Sequence, residues 1–265
     1  MANVHYAGFE VATSLVYSYE QLAIKYRDKW SREESRHELK HILNPADTPP
    51  VDEGSLQCNV YVNFDYGLAL LVLNAAIVEG TLRSVITERM GDEIRDGVKR
   101  AVGEGRTGPT YAEELQAKSR IELEVHGGWE KLREQYSSYF KTTLQDAIGD
   151  SASNAMEVLF RLRNVLAHGT AIVYPMKEMD ESMKSLYPYD WQRRMQMVDV
   201  YLKKHFKKDV GLVENLAQPG VPKHFLDATK KVFEGVCMEF GPLPKRVAVT
   251  TDLVRSLQFG YMLPT

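Results

Sequence analysis

The segment Arg163-Asn164-Val165-Leu166-Ala167-His168 holds the residue types best suited to chemistry in this chain. A histidine that can hold or give a proton near neutral pH is what acid/base chemistry needs. At 3.6 residues per turn, Arg163 and His168 lie about 140° apart around a helix. The two side chains can therefore flank one cleft without stacking on each other.

A helix from about Ser153 to His168 must position these groups. One face of it is apolar at helical spacing and predicts contact with a core: Ala155, Val158, Leu159, Leu162, Val165 and Leu166. The opposite face is polar. Its residues are spaced four, three and four positions apart, which predicts that they lie along one surface of the helix: Glu157, Arg161, Asn164 and His168. We expect Ser151 or Ser153 to be the N-cap. Gly169 is expected just beyond the C-terminus, which puts His168 in the last turn.

A long helix earlier in the chain, from about Tyr61 or Asp65 to Met90 and ending at Gly91, carries a carboxylate on its apolar side. Its stripe consists of Leu68, Val72, Ala75, Leu82 and Ile86. Glu79 interrupts this stripe, and a carboxylate that faces a core needs a cationic partner. Arg163 and Arg83, one turn away on the same helix, are both open as that partner.

The segment from Arg163 to Gly169 resembles the HEPN proteins, helical domains whose catalytic members carry an arginine, four to six residues, then a histidine. A polar residue after the arginine and a small residue before the histidine are typical of them. The resemblance extends to the long preceding helix, where such proteins place an acidic residue, here Glu79.

This resemblance implies metal-independent cleavage of RNA, in which the ribose 2′-hydroxyl attacks the adjacent phosphate and leaves a cyclic phosphate. It implies that His168 acts as general acid or base, that Arg163 stabilises charge on the phosphorane, and that Asn164 and Glu79 orient them. It also implies a homodimer in which two motifs face one cleft, and the setting of a bacterial toxin or phage-defence effector with a protein antitoxin or regulator. A non-catalytic HEPN binding or regulatory protein remains open.

A rival motif from another class lies nearer the N-terminus. His37-Glu38-Leu39-Lys40-His41 matches H-E-x-x-H, in which two histidines bind zinc and the glutamate activates water, with Glu53 as a third ligand. The charged surroundings, and Lys40 above all, argue against it. The same stretch also repeats the arginine-to-histidine spacing, in Arg32 with His37 and in Arg36 with His41, on what reads as a solvated helix face.

Basic residues could guide RNA to the site. They are Arg161, Arg193, Arg194, Lys203 and Lys204. The last four flank a helix with an apolar side, so a solvated face is the plainer interpretation. The histidines His5, His126 and His224 show no partner at metal or triad spacing, and we interpret them as ordinary surface or polar-core residues.

The fold class predicted for the whole chain is all-α, as one helical domain over 1–265. We expect an N-terminal helix at 6–43, a proline-rich linker at 44–50, a HEPN-like core at about 60–175 and a C-terminal helical extension at 176–265. Within these, 91–128 is expected to be a mobile insertion. Helices are predicted at 129–148, 189–207 and 222–240, an extended exit or short strand at 170–174, and a β-like tail at 246–250.

Composition limits the setting. A net charge of -3 over 265 residues argues against binding nucleic acid through the whole surface. Cys58 and Cys237 are far apart in sequence and form no disulfide framework or CxxC pair. With no signal-like start and no apolar run of about 20 residues, we expect a cytoplasmic protein without a membrane span. The metal-independent chemistry that the resemblance implies needs no cofactor.

Overall fold

The computed structural model describes residues 10–43, 53–125, 127–168 and 189–259, with side chains at 10–32, 66–123, 127–168 and 195–259. The regular structure of these residues is helical throughout and includes no strand, which confirms the all-α class. In chain order the helices are α1 (Val11–Leu43), α2 (Glu53–Gly103), α3 (Tyr111–Val125), α4 (Trp129–Phe140), α5 (Leu144–Ala167), α6 (Tyr189–His205), α7 (Leu212–Leu216), α8 (Val221–Phe240) and α9 (Lys245–Ser256).

The chain divides into two compact units. The first comprises Met1–Tyr17, Ala76–Ser153 and Lys230–Ser256, and the second comprises Ser18–Ala75, Asn154–Thr229 and Leu257–Thr265. Each unit takes segments from the predicted N-terminal helix, from the predicted core and from the predicted extension.

The core of the first unit gathers around Tyr136 of α4. Its ring lies 5.4 Å from that of Phe240 of α8 and 5.3 Å from that of Phe140, between centroids. Its hydroxyl donates to the carbonyl of Leu82 in α2 over 2.9 Å, so this buried phenol is satisfied. Burial raises the pKa of Tyr136 well above its ordinary value. The phenol therefore stays protonated and keeps its hydrogen bond.

The core of the second unit is also rich in aromatic side chains. The ring of Tyr19 in α1 lies 6.4 Å from that of Phe259, and the ring of Tyr26 lies 6.1 Å from the same phenyl group. Thr229 of α8 donates to the Oδ1 atom of Asn74 in α2 over 2.9 Å, a hydrogen bond buried from solvent. Apolar burial and this buried hydrogen bond together stabilise the unit.

The expected mobile insertion at 91–128 is instead mostly helix. Helix α2 continues past Gly91 to Gly103, because one interior glycine costs a helix only about 1 kcal/mol. Helix α3 then begins with a reciprocal cap: the Glu113 N–H donates to the Thr110 hydroxyl over 3.3 Å, and the Thr110 N–H donates to the Glu113 carboxylate over 2.6 Å.

Other boundaries also differ from the predictions. Helix α2 starts at Glu53 rather than near Tyr61, and α4 ends at Phe140, where Lys141 adopts the left-handed conformation with φ 62°. The β-like tail is helix α9, whose buried Val247, Thr250 and Val254 recur at helical spacing. The predicted helices at 189–207 and 222–240 are confirmed within two residues as α6 and α8. The linker at 44–50 and the segment 170–174 lie outside the described residues.

One helical segment among the described residues, Tyr66–Gly103, is long and apolar enough to cross a membrane by length and composition. Of its most apolar 18-residue stretch, 61% is buried inside the protein, as in the core helix of a globular fold. Packing in the core is therefore a second explanation for the length and apolarity of this helix.

Candidate functional site

Helix α5 carries the candidate site and consists of two helical segments. They meet at Gly149, whose φ of 77° and ψ of 158° are non-helical and suit a residue without a side chain. The second segment therefore starts directly after Gly149, and the predicted N-cap at Ser151 or Ser153 is wrong. Ser153 is instead buried inside the helix, at 5% exposure.

The two predicted faces of this second segment are present. Of the apolar stripe, all members but one are buried: Ala155, Val158, Leu159, Leu162 and Val165. Leu166 is half-buried. On the polar side Glu157 and Arg161 are half-buried, and Asn164 and His168 are exposed. The core side fixes the rotation of the helix, so the polar side must open to solvent at its C-terminal end.

Arg163 and Asn164 contact each other at this exposed end. The Arg163 Nη1 atom donates to the Asn164 Oδ1 atom over 3.1 Å, which orients both groups. His168 is the first residue after the last helical residue, Ala167, and its side chain is exposed. The expected C-terminal glycine, Gly169, lies outside the described residues. All three predicted residues thus belong to one exposed helix end of the second unit.

Arg161 has a partner on its own helix. Its Nη2 atom lies 2.9 Å from the Glu157 Oε1 atom, an i, i+4 ion pair about one-third exposed on both sides. Much of its charge is therefore offset, so Arg161 offers an RNA backbone less attraction than an unpaired arginine would.

Glu79 lies in the first unit, where the described donors to it come from α2 and from the start of α4. The Arg83 Nη2 atom lies 2.6 Å from the Glu79 Oε1 atom, and the backbone N–H of Gly128 donates to the same oxygen over 3.1 Å. Glu79 is 8% exposed, so the prediction of a buried carboxylate with a cationic partner is confirmed. Of the two partners left open by the sequence, the contact with Arg83 is formed, and it is buried rather than exposed.

The predicted RNA-binding residues of α6 divide into three cases. Lys203 forms an ion pair with Asp199 over 2.8 Å, which offsets its charge. Lys204 is exposed and has no carboxylate within 4 Å among the described side chains. Arg193 and Arg194 lie on the helix, but their side chains are outside the described residues. Of the two lysines, Lys204 is the better placed to meet an anion.

The rival zinc motif lies near the C-terminal end of α1, which runs to Leu43. The side chains of His37, Glu38 and His41, and that of Glu53 in the first turn of α2, are outside the described residues. Where side chains are described, no group of three or more histidines, cysteines, aspartates or glutamates has a geometry that could hold a metal ion.

One cluster of titratable side chains in the second unit is not predicted from the sequence. The Tyr201 hydroxyl and the His224 Nε2 atom are 2.8 Å apart, and the rings of His205 and His224 lie 4.8 Å apart between centroids. His224 therefore has two polar neighbours that its spacing in the sequence does not reveal. The only signal was the basic run around His205, which gave no reason to look at His224.

No known family model, curated protein or solved structure matches this chain.

Proposed function

We propose that this chain is a HEPN-type endoribonuclease that cleaves RNA without a metal cofactor, with Arg163, Asn164 and His168 as its catalytic residues. One observation chiefly supports this proposal. The Arg163–Asn164 hydrogen bond lies at the exposed end of an amphipathic helix, and the exposed His168 follows directly. A cation, an amide and an imidazole thus occur within six residues at the C-terminal end of one helix of the second unit.

The proposed reaction needs only proton transfer and charge stabilisation. The ribose 2′-hydroxyl loses its proton, its oxygen bonds to the adjacent phosphorus, and the bond from phosphorus to the 5′-oxygen breaks. His168 either takes the first proton or gives one to the leaving 5′-oxygen. Arg163 stabilises the charge of the phosphorane, and Asn164 holds the guanidinium in place through its carbonyl oxygen. The products are a 2′,3′-cyclic phosphate and a 5′-hydroxyl.

Glu79 has a narrower role in this proposal than the resemblance implies. Its described contacts, with Arg83 and with the N–H of Gly128, favour a structural function in the first unit. We therefore rest catalysis on Arg163, Asn164 and His168, and a variant of Glu79 should act first through stability.

The proposal includes a homodimer and an intracellular setting, as the resemblance implies. In HEPN enzymes two copies of the motif face one cleft, so each catalytic histidine works beside its symmetry mate. Sedimentation analysis tests this part. Twice the mass of one chain at assay concentration supports it, and a monomer that cleaves RNA at full rate contradicts it.

The experiment that tests the function is incubation of the purified protein with total RNA in EDTA. Arg163→Ala and His168→Ala are compared with the wild type, and His37→Ala serves as a matched control because Arg32 and His37 have the same spacing. The proposal predicts cleavage that EDTA leaves unchanged and that both site variants lose. The His37→Ala variant should cleave at the wild-type rate.

The alternatives give different results in the same experiment. A zinc hydrolase centred on His37 and His41 would lose its activity in EDTA and in His37→Ala. A non-catalytic HEPN protein would leave the RNA intact under every condition. Growth arrest on expression, absent for His168→Ala, is a cellular version of the test.

A further inference from the structure

The second unit contains a compact group of three polar rings between the end of α6 and the start of α8. His205 is the last residue of α6, and His224 lies in the first turn of α8. The ring of Tyr201 lies 4.4 Å from that of His205 and 5.7 Å from that of His224, between centroids. Residues 19 positions apart in sequence thus present two imidazoles side by side.

The surroundings of the two imidazoles fix them in place. The Tyr201 hydroxyl meets the Nε2 atom of His224 at 2.8 Å, and Phe206 and Phe225 pack edge-on against the His224 ring. Burial raises the pKa of Tyr201 to about 12, so it remains a phenol that can donate to this nitrogen at neutral pH. His205 is exposed and His224 half-buried, so one ring of the pair is open to solvent.

The loop that follows His205 is also anchored. The fully buried Asn215 of α7 accepts from the N–H of Lys207 over 3.1 Å, and its amide donates to the carbonyl of Lys207 over 3.0 Å. A second donation, over 3.3 Å, reaches the carbonyl of Val210. The backbone that carries Lys207 and Lys208 is therefore held beside the end of α6.

Uncompensated positive charge lies close to the imidazoles along the chain. Lys204, Lys207 and Lys208 are exposed, and within the described part of the chain none has a carboxylate at ion-pair distance. The other two lysines of the region are paired, Lys203 with Asp199 and Lys223 with Asp227. Asp209 and Glu214 are the remaining carboxylates on the loop and on α7. Among the described residues of this region, the three ammonium groups without an ion-pair partner therefore outnumber these two carboxylates.

We propose that His205 and His224, together with Lys204 and Lys207, form a binding site for a phosphoryl group. Ammonium groups and protonated imidazoles are strong donors to phosphate oxygens. Two adjacent imidazoles repel each other when both are protonated, and a bound phosphoryl group removes that repulsion. The site therefore takes up a proton as it binds its ligand. This inference is independent of the ribonuclease proposal, which rests on His168.

The properties of His205 without ligand agree with this linkage. Burial, and then the charge of Lys204, lower the pKa of His205 below its ordinary value. Among the described residues, the groups that face it are Tyr201 and Lys204 of α6 and His224 of α8. All are neutral or cationic, so an anion supplies what this imidazole lacks.

The test is a pH titration of the histidine ring signals by NMR, on the full chain, in inorganic phosphate and in chloride of equal ionic strength. Single His→Gln variants assign the seven histidines. We expect the titration midpoints of His205 and His224 to rise by about one pH unit in phosphate, as an opposite charge in contact produces. Lys204→Ala and Lys207→Ala should each reduce the rise, whereas Lys231→Ala, an exposed lysine of α8, should not.

A second arm identifies the source of the phosphoryl group. An oligodeoxynucleotide, which has no 2′-hydroxyl to cleave, replaces inorganic phosphate. A larger rise with the oligonucleotide assigns the site to a phosphodiester backbone, and a larger rise with phosphate assigns it to a phosphate monoester. Both results support the site. The ribonuclease proposal is tested separately, by RNA cleavage with the His168→Ala variant. Equal midpoints for His205 and His224 in chloride and in either ligand, measured on wild-type protein once its signals are assigned, would overturn the inference.

Discussion

Glu79 and Arg83 form a buried ion pair one helical turn apart, with 2.6 Å between the Oε1 and Nη2 atoms and side chains only 10% and 17% exposed. The same carboxylate oxygen accepts from the N–H of Gly128, so the pair ties α2 to the start of α4. Gly127 lies against the pair, and a methyl group there would overlap the Arg83 guanidinium. The absence of a side chain at this position lets the loop close over the two charges.

Removing one member of this pair should destabilise the protein. Glu79→Ala leaves a guanidinium without its carboxylate and the Gly128 N–H without its acceptor, so we expect a loss of about 3 kcal/mol in the free energy of unfolding. Urea denaturation measures it. Glu79→Gln and Arg83→Met, made singly and together, complete a double-mutant cycle. The double variant should lose less free energy of unfolding than the sum of the two single losses. Additive losses would show that the two side chains do not act as a pair.

A methyl group at Gly235 of α8 should also destabilise the protein. A Cβ atom there would lie 3.0 Å from the Ile148 Cα atom and would overlap the carbonyl oxygen of Ala147, both backbone atoms that cannot turn aside. We expect Gly235→Ala to cost about 1–3 kcal/mol despite the better helix propensity of alanine. Gly103→Ala, with no atom within 4 Å, is the control and should be neutral or slightly stabilising. Thermal melting is the measurement. A Gly103→Ala variant less stable than Gly235→Ala would contradict the close approach of Gly235 to Ala147 and Ile148.

Acid should weaken the cap of α3. The guanidinium of Arg106 and the N–H of Thr110 lower the pKa of Glu113 to about 2 from an ordinary value of 4.5. The stabilisation is therefore complete above about pH 4.5 and is lost as the pH falls towards 2. In Glu113→Gln this part of the pH dependence should disappear. Denaturation at a series of pH values measures it, with the neighbouring Glu114→Gln as control. A Glu113→Gln profile parallel to that of the wild type would argue against the cap.

Much of the fold could be predicted because periodicity directly reports burial. The stripe from Ala155 to Val165 and the helices α6 and α8 follow from apolar spacing alone. Two predictions are wrong because a local signal does not decide the structure. Gly91 predicts a helix end, but the packing of α2 outweighs one glycine. The valines and threonines of α9 predict a β-like tail, but their burial at helical spacing favours a helix.

The candidate site could be predicted only where its residues are neighbours in sequence. Arg163 and Asn164 are adjacent in sequence, so their place at the same helix end follows from the sequence. Their hydrogen bond does not, because side chains at i and i+1 do not face each other on a helix. The contact of His205 with His224 depends instead on how α6, α7 and α8 pack, and no spacing rule encodes that. The cap formed by Thr110 and Glu113 was a readable signal, T-x-x-E, inside a stretch whose charges and glycines suggested a loop.

The central claim is that His168 transfers a proton when RNA is cut at a ribose 2′-hydroxyl. The most direct measurement is single-turnover cleavage of a short RNA in EDTA, with the ends of the products identified by mass spectrometry and an all-deoxy oligonucleotide as control. We predict 2′,3′-cyclic phosphate ends and an intact deoxy oligonucleotide. We also predict that His168→Ala, shown to be as stable as the wild type, cleaves at least about 100-fold more slowly. Cleavage by His168→Ala at the wild-type rate, or equal cleavage of the deoxy oligonucleotide, would contradict the account.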